Sequence, residues 1–278
     1  MTAPHAVISG GSSGIGLALA RRLCSEGWSL SLLARNRERL ERARDELEEL
    51  RSELAQQILL FPADVSDPEQ TVAAAHAAQA QLGAPRLLIC CAGIAVPGYF
   101  SSLPAEVHRQ TMEVDYFGTL HLVRALLPGM QAAGEGRIVL ISSGAGLVGV
   151  FGYSAYSPAK FAVRGLGEVL RAELRPHGIG VSVVYPPDTD TPQLHEENKV
   201  KPAETFAISG NAKVWSAEEV ASCILNGVRR GQFSITPGWE LTLLARLNCL
   251  IQPLLHRIFD WQADRAAPRS GDTGGEHD

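Results

Sequence analysis

Ser9-Gly10-Gly11-Ser12-Ser13-Gly14-Ile15-Gly16 stands between a short apolar run, His5 to Ile8, and a helical pattern from Ile15 to Leu23. Strand, glycine-rich turn and helix start, in that order, form the setting in which a backbone cradles a pyrophosphate. Glycine has no Cβ and adopts positive φ freely, so Gly10, Gly14 and Gly16 let the chain turn tightly and approach the phosphates. The N–H groups at the helix N-terminus then meet the phosphate charge. Ser12, Ser13 and Ile15 lie within the turn and complete the expected cofactor-binding set there. The spacing is G-x-x-x-G-x-G rather than G-x-G-x-x-G, and a Gly/Ser cluster alone also describes a flexible loop. The flanking strand and helix favour the phosphate cradle.

Outward from this turn, apolar runs alternate with helical patterns in the order of a Rossmann-type doubly wound parallel sheet, an α/β fold. Strands are expected near His5 to Ser9, Ser29 to Ala34, Ile58 to Phe61, Leu87 to Cys91, Arg137 to Ser142, Gly180 to Tyr185 and Ser234 to Thr236. A densely charged helix is expected from about Arg37 to Glu53, with a solvated face laced by i,i+4 pairs. An Ala-rich helix is expected over Ala73 to Gln81. Ser216, followed by Ala217-Glu218-Glu219, reads as a helix N-cap with acids in the first turn.

With 278 residues, 45% of them hydrophobic and 20% charged, the chain can bury a full core, and one domain over residues 1–265 is expected. Residues 266–278, rich in Gly, Asp and Arg, read as a disordered tail. A formal net charge of −5 gives no general attraction to nucleic acid or anionic lipid, and no nucleic-acid partner is expected. Five Cys without a signal-peptide pattern, with Cys90 and Cys91 adjacent, read as reduced thiols of a cytoplasmic protein. The first strand is expected almost at once, so no targeting sequence is expected ahead of the fold. The eight His are scattered without metal-ligand spacing, so no metal is expected.

The end of the second strand decides between dinucleotides. An NAD site places an acid there for the ribose 2′-OH, whereas a 2′-phosphate needs cations. The sequence is Leu33-Ala34-Arg35-Asn36-Arg37, with no acid. Arg35 can fork onto a phosphate, assisted by Arg39 or Ser12, which favours NADPH/NADP+. Asp64-Val65, after the third strand, fits the adenine edge. Ala92-Gly93, after the fourth, offers small residues beside a ribose.

The chemistry falls on Ser143 and on Tyr156-Ser157-Pro158-Ala159-Lys160. Tyr156 and Lys160, four apart, share one helix face, and Pro158 requires the helix to have just begun. A free tyrosine titrates near pH ~10, but an adjacent ammonium favours the phenolate and makes Tyr156 a usable acid or base. Lys160 would also hold the nicotinamide ribose. Ser143 closes the fifth strand at the carboxyl edge of the sheet, where its hydroxyl can orient a carbonyl.

From the glycine turn through Tyr156-x-x-x-Lys160, the chain resembles the short-chain dehydrogenases/reductases. The resemblance implies hydride transfer between nicotinamide C4 and a substrate carbon. Tyr156 would be the acid/base, Lys160 would lower its pKa and Ser143 would stabilise the reacting oxygen. It also implies a dimer or tetramer built through the helices carrying Asp115 and Tyr156. Two departures stand out. Cys90-Cys91-Ala92-Gly93 replaces Asn-Asn-Ala-Gly, and Asp115 replaces an Asn that holds a relay water. An aspartate accepts hydrogen bonds from that water and from Lys160, so the relay is retained with a different proton balance.

Tyr185-Pro186-Pro187-Asp188-Thr189-Asp190-Thr191-Pro192, Glu196-Glu197-Asn198-Lys199 and Ala155 to Leu166 are similar to 3-ketodihydrosphingosine reductases. Those enzymes reduce the keto group of a long-chain amino alcohol with NADPH. This narrower resemblance implies that Pro186-Pro187 stiffens the chain near the nicotinamide, that Thr189 and Thr191 face the carboxamide and the pyrophosphate, and that residues 186–215 form a substrate loop. The substrate carries an ammonium group beside its ketone, and Asp188, Asp190, Glu196 and Glu197 are candidate counter-charges. Residues 241–261 carry a broad apolar surface interrupted by polar residues and Pro253. An interfacial helix giving peripheral membrane contact, a lipid-tunnel wall, an oligomer contact and a packed terminal helix all fit it. A reductase or dehydrogenase for another lipid, steroid or carbonyl, and a non-catalytic NADP-binding protein, are the alternative readings.

Overall fold

The computed structural model describes residues 3–209 and 213–266, with the side chains of residues 248 and 249 outside that description. In chain order the strands are β1 (His5–Ser9), β2 (Ser29–Ala34), β3 (Ile58–Pro62), β4 (Leu87–Cys90), β5 (Gly136–Ile141), β6 (Ile179–Val184), β7 (Thr189–Asp190), β8 (Trp215–Ser216) and β9 (Ser234–Ile235). β7 and β8 pair with each other, and the other seven form one sheet in the order β3-β2-β1-β4-β5-β6-β9. Every pairing in that sheet is parallel. The helices are α1 (Gly14–Ser25), α2 (Arg37–Glu48), α3 (Pro68–Leu82), α4 (Ala105–Met112), α5 (Gly118–Ala133), α6 (Tyr156–Leu174), α7 (Pro192–Val200), α8 (Ala203–Ser209), α9 (Ala217–Arg229) and α10 (Trp239–Ala266).

The strands read as unbroken apolar runs because both faces of the sheet are covered. Side chains alternate between two layers. Ala6, Ile8, Leu30, Leu32, Ile89 and Val139 meet Leu19 and Leu23 of α1, Leu40 and Leu47 of α2, and Val220 and Ile224 of α9. Val7, Leu33, Leu88 and Leu140 point the other way, onto Ala75 and Ala78 of α3, Leu122 and Leu126 of α5, and Val163 and Leu170 of α6. Each fully buried aliphatic side chain contributes roughly 1.5–3 kcal/mol, so a one-residue slip of any strand would exchange two cores at once.

β1 lies between β2 and β4, and the strand order reverses there. The crevice that such a reversal opens at the carboxyl strand ends is where ligands sit in open α/β sheets. Ser9 holds that point together: its Oγ accepts from the N–H groups of Cys91 and Ala92, at 3.1 and 3.2 Å.

Three expectations need correction. The charged helix ends at Glu48 rather than near Glu53. The buried Gln56 draws the following loop back to the sheet: its Oε1 accepts from Ser52 N and Glu53 N, and its Nε2 donates to Cys24 O and Trp28 O. Residues 186–215 are not a plain loop, since α7 and α8 lie within them. Ala266 ends α10 rather than starting a tail, and residues 267–278 lie outside the described residues. The expected N-cap at Ser216 is a full capping box with Glu219, bonded at 3.1 and 2.9 Å. α10 continues through Pro253, exposing Leu250 and Leu254 while Leu244 packs on Leu147 and Tyr185. Among the described residues no helix is long and apolar enough to cross a membrane.

Candidate active site

At the carboxyl end of β1 the glycine turn is packed so closely that side chains are excluded. Gly10 has φ +71°, and a Cβ on it would stand 2.9 Å from Ala92 N. A Cβ on Gly16 would lie 2.3 Å from the Gly10 carbonyl oxygen. The turn thus brings bare backbone to the start of α1. Ser13, the N-cap residue, makes no capping bond with its side chain and lines the cleft together with Ser12, Gly14 and Ile15. An N-terminus with free donors and an uncommitted hydroxyl fits a phosphate.

Beyond β2, Arg35 and Arg39 line the same cleft. Asn36 caps α2 by accepting from Arg39 N at 2.8 Å. The largely exposed Arg35 has its Nη1 3.9 Å from Asp64 Oδ2. Asp64 Oδ1 is engaged by the Ser66 N–H and hydroxyl, at 3.0 and 2.7 Å, which fixes Asp64 and Val65 at the far wall. No acid competes for a 2′-phosphate at the strand end itself.

The reactive groups meet where β5 ends and α6 begins. Ser143 leaves β5 in an extended conformation, its Oγ accepting from Ala145 N at 3.1 Å. Tyr156 is the first residue of α6, so Pro158 falls in the first turn, where its missing N–H costs nothing. The Lys160 ammonium lies 5.3 Å from the centre of the Tyr156 ring. It also donates to Ile141 O at 3.3 Å and lies 3.1 Å from Asp115 Oδ2. Lys160 and Asp115 are 4% and 1% exposed.

Asp115 sits on a π-helical turn, Glu113–Phe117, joining α4 to α5. Such a turn displaces one residue out of the regular helical ladder and is frequent at functional sites. Its Oδ1 accepts from Ile94 N at 2.8 Å, which also fixes the segment after Gly93. Burial pushes the Asp115 carboxyl up, opposed by the charge of Lys160. Burial alone would lower Lys160, but Asp115 and Tyr156 hold it well above its usual range. Tyr156 departs from the sequence expectation: burial outweighs the ammonium, Asp115 and Glu197 add to the rise, and the phenol is pushed up to about 12.

Tyr153 packs against Tyr156, with ring centres 5.5 Å apart. Its hydroxyl donates to Glu197 Oε2 of α7 at 2.8 Å, and Gln193 Nε2 donates to Oε1 at 2.9 Å. Lys201, also buried, has its Nζ 3.9 Å from Asp188 Oδ2. The cleft lined by Tyr153, Tyr156, Lys160, Asp188, Gln193 and Glu197 has a volume of about 1010 Å³ and runs from the glycine turn past Tyr156 to Leu241, Leu244 and Phe259 of α10.

A model of the short chain dehydrogenase family matches residues 4–202. The chain belongs to the short-chain dehydrogenase family. It is an oxidoreductase acting on the CH–OH/C=O group. It is similar to the 3-dehydrosphinganine reductase of Danio rerio, 39% identical over 251 residues that span 90% of this chain and 76% of that protein. To the 3-ketodihydrosphingosine reductase of Dictyostelium discoideum it is 40% identical over 271 residues, 92% of this chain and 81% of that one. Among solved structures it resembles a short-chain dehydrogenase/reductase from Burkholderia phymatum in complex with NAD (TM-score 0.79, 26% identity, covering 91% of this chain and 95% of that one). It also resembles a Sphingobium yanoikuyae short-chain dehydrogenase in complex with NADPH (TM-score 0.76, 27% identity, covering 92% and 96%).

Within this short-chain dehydrogenase, the residues singled out from sequence line one cleft: the glycine turn, Arg35, Arg39, Asp64, Val65, Ala92, Gly93, Ser143, Tyr156, Lys160, Pro186, Thr189 and Thr191. Asp115 stands behind Lys160 instead of lining the cleft. Thr191 caps α7, accepting from Leu194 N, and its methyl lies 3.0 Å from where a Gly14 Cβ would be. The four candidate counter-charges separate. Asp190 is exposed and paired with His195 at 2.7 Å, and Glu196 is exposed and paired with Lys199 at 2.6 Å. Glu197 is buried in the cleft wall and Asp188 is half-buried there. Ser9, Tyr153 and Gln193 were not anticipated. Tyr153, three residues before Tyr156, was the one whose spacing on the chain offered a signal.

Proposed function

We propose that the protein reduces the keto group of 3-ketodihydrosphingosine to dihydrosphingosine, using NADPH. The supporting observation is one continuous cleft that joins the phosphate turn and the Arg35/Arg39 end to Ser143, Tyr156 and Lys160, and then to an apolar wall on α10. Similarity to reductases named for that substrate agrees with a cleft having both a polar reacting centre and an aliphatic side.

The glycine turn and Ser13 would hold the pyrophosphate, and Arg35 with Arg39 and Ser12 the 2′-phosphate. When bound, NADPH supplies the hydride from nicotinamide C4 that becomes the new C–H bond. The Ser143 hydroxyl holds the carbonyl oxygen, and Tyr156 Oη gives that oxygen its proton, so ketone, hydride and proton together yield the alcohol. A phenol pushed up to about 12 stays protonated at neutral pH, the form that reduction requires. Lys160 stabilises the phenolate left after transfer, and Asp115 keeps Lys160 charged. The reading includes one folded domain to residue 265, a homo-oligomer and a cytoplasmic location. In it, the outer side of α10, with Leu250 and Leu254 exposed, rests peripherally on a membrane while the inner side meets the lipid chain.

NADPH oxidation by the purified protein with 3-ketodihydrosphingosine, beside NADH and beside Tyr156→Phe, tests the reading. NADPH-dependent turnover that falls at least ~10²-fold in the variant supports it. Reduction of other ketones with none of this one discards the substrate, and cofactor binding without turnover of any carbonyl discards the reductase.

A further inference from the structure

We propose that Glu197 is the receptor for the ammonium group of a 2-amino-3-keto substrate, and so the residue that distinguishes an amino ketone from a plain ketone. This rests on the reading of the cleft as a keto-sphingoid reductase site and adds to it the group that recognises the head.

Glu197 lines the cleft yet is only 7% exposed. Both its oxygens are held by neutral donors, the Tyr153 hydroxyl at 2.8 Å and the Gln193 amide at 2.9 Å. Those donors fix the carboxylate without neutralising it, and a buried charge without a cation is costly. Among the described residues Glu197 has no ion-pair partner. Lys201, buried beside this wall, pairs with Asp188 at 3.9 Å, and Lys213, which lines the cleft, pairs with Glu219 at 3.1 Å. Glu204, equally buried, is bound by Tyr99 and does not line the cleft. The wall of Asp188, Lys201 and Glu197 therefore carries one uncompensated negative charge.

The position of that charge suits the proposed substrate. The Tyr153 ring packs on the Tyr156 ring at 5.5 Å, and its hydroxyl reaches Glu197, so the carboxylate stands one tyrosine away from the proton donor. In the substrate the ammonium is borne by the carbon next to the carbonyl. With the carbonyl oxygen on Ser143 and Tyr156, the neighbouring ammonium lies on the side of the cleft that Glu197 closes. Burial pushes the Glu197 carboxyl up, partly opposed by Gln193, Tyr153 and Lys201, and the charge of Asp188 raises it further. An incoming ammonium supplies the cation that keeps it ionised. The other acids fit less well: Asp190 and Glu196 are exposed and already paired with His195 and Lys199, Asp188 is paired with Lys201, and Glu240, which also lines the cleft, is exposed.

The test measures kcat/KM of the full-length protein for a short-chain 2-amino-1-hydroxy-3-ketone and for its 2-deamino counterpart. The parent is expected to prefer the amino ketone by on the order of 30-fold or more. In Glu197→Gln that ratio should collapse to within a few-fold, chiefly through a higher KM, and Glu197→Asp should restore part of it. NADPH binding by each variant, read from cofactor fluorescence, reports folding. The parent's own ratio stands as a test even where a variant fails to fold. A parent that reduces both ketones equally well, or a Glu197→Gln variant that keeps the full ratio, overturns the receptor and leaves the reductase standing. A parent that reduces other ketones but not the amino ketone overturns the substrate assignment, and the receptor falls with it.

Discussion

Replacing Asp115 by Asn removes one charge and almost no volume from the most buried ion pair of the site. The two unit charges are 3.1 Å apart, which at an effective dielectric of ~20 corresponds to about 5 kcal/mol of attraction. Desolvation of both groups offsets much of it, but removing one partner leaves Lys160 charged, buried and unmatched, at a usual cost of about 3–5 kcal/mol. Asparagine still offers an oxygen to Ile94 N–H, so the low end, about 3 kcal/mol, is expected. In a domain of this size that lowers Tm by roughly 6–12 °C. The same change acts on the reaction. Burial is the main reason the Tyr156 phenol sits at about 12, Lys160 lowers it and Asp115 raises it, so deleting the Asp115 charge lowers it. With Tyr156 as the proposed proton donor, reduction needs the protonated phenol and is lost as pH rises through its pKa. Activity of Asp115→Asn should therefore begin to fall at a lower pH than that of the parent. Thermal unfolding and a pH profile of ketone reduction read both effects. A variant as stable as the parent, with an unmoved alkaline limb, would refute the coupling of Asp115 through Lys160 to Tyr156.

Gly16→Ala places a methyl group against the Gly10 carbonyl, and a loss of about 2 kcal/mol in urea unfolding with at least tenfold weaker NADPH binding is expected; unchanged affinity would show that the close turn is dispensable. Arg35→Ala should raise KM for NADPH about tenfold while leaving NADH nearly unaffected, and an equal change for both would remove Arg35 from 2′-phosphate recognition. His5 is buried between Gly83 O and Ser31 Oγ, and burial, opposed by the Gly83 bond, lowers its pKa below 6.5. Its unfolded form therefore takes up protons first, so its contribution is complete above pH 6.5 and declines as pH falls toward the folded value. His5→Asn should flatten the acid limb of unfolding free energy against pH, and an unchanged limb would assign that loss elsewhere.

The sheet was legible in sequence because β1, β2 and β4 are covered on both faces and so are spelled as unbroken apolar runs. The glycine turn and the Tyr156/Lys160 pair were legible for a similar reason, since neighbouring residues carry the whole signal. What escaped depends on partners remote in the chain. The end of α2 is set by Gln56 bonding to Cys24 and Trp28 across the loop, which no local propensity records. The raised phenol of Tyr156 follows from burial and from Glu197, neither visible in the i,i+4 spacing that predicted a lowered one. The acidic run after β6 read as four equivalent charges, and only packing separated Glu197 from its solvated neighbours.

Ser9 bears on how tightly a nucleotide can be held. Where the strand order reverses, the connections leaving the neighbouring strands run to opposite faces of the continuous sheet, and the crevice between them, left to itself, would widen and narrow with thermal motion. One hydroxyl accepting from the N–H groups of Cys91 and Ala92 acts as a clasp across the divide. The gap has its working width before any ligand arrives, so little ordering is demanded of the protein on association. More of the attraction between turn and phosphate then remains as affinity.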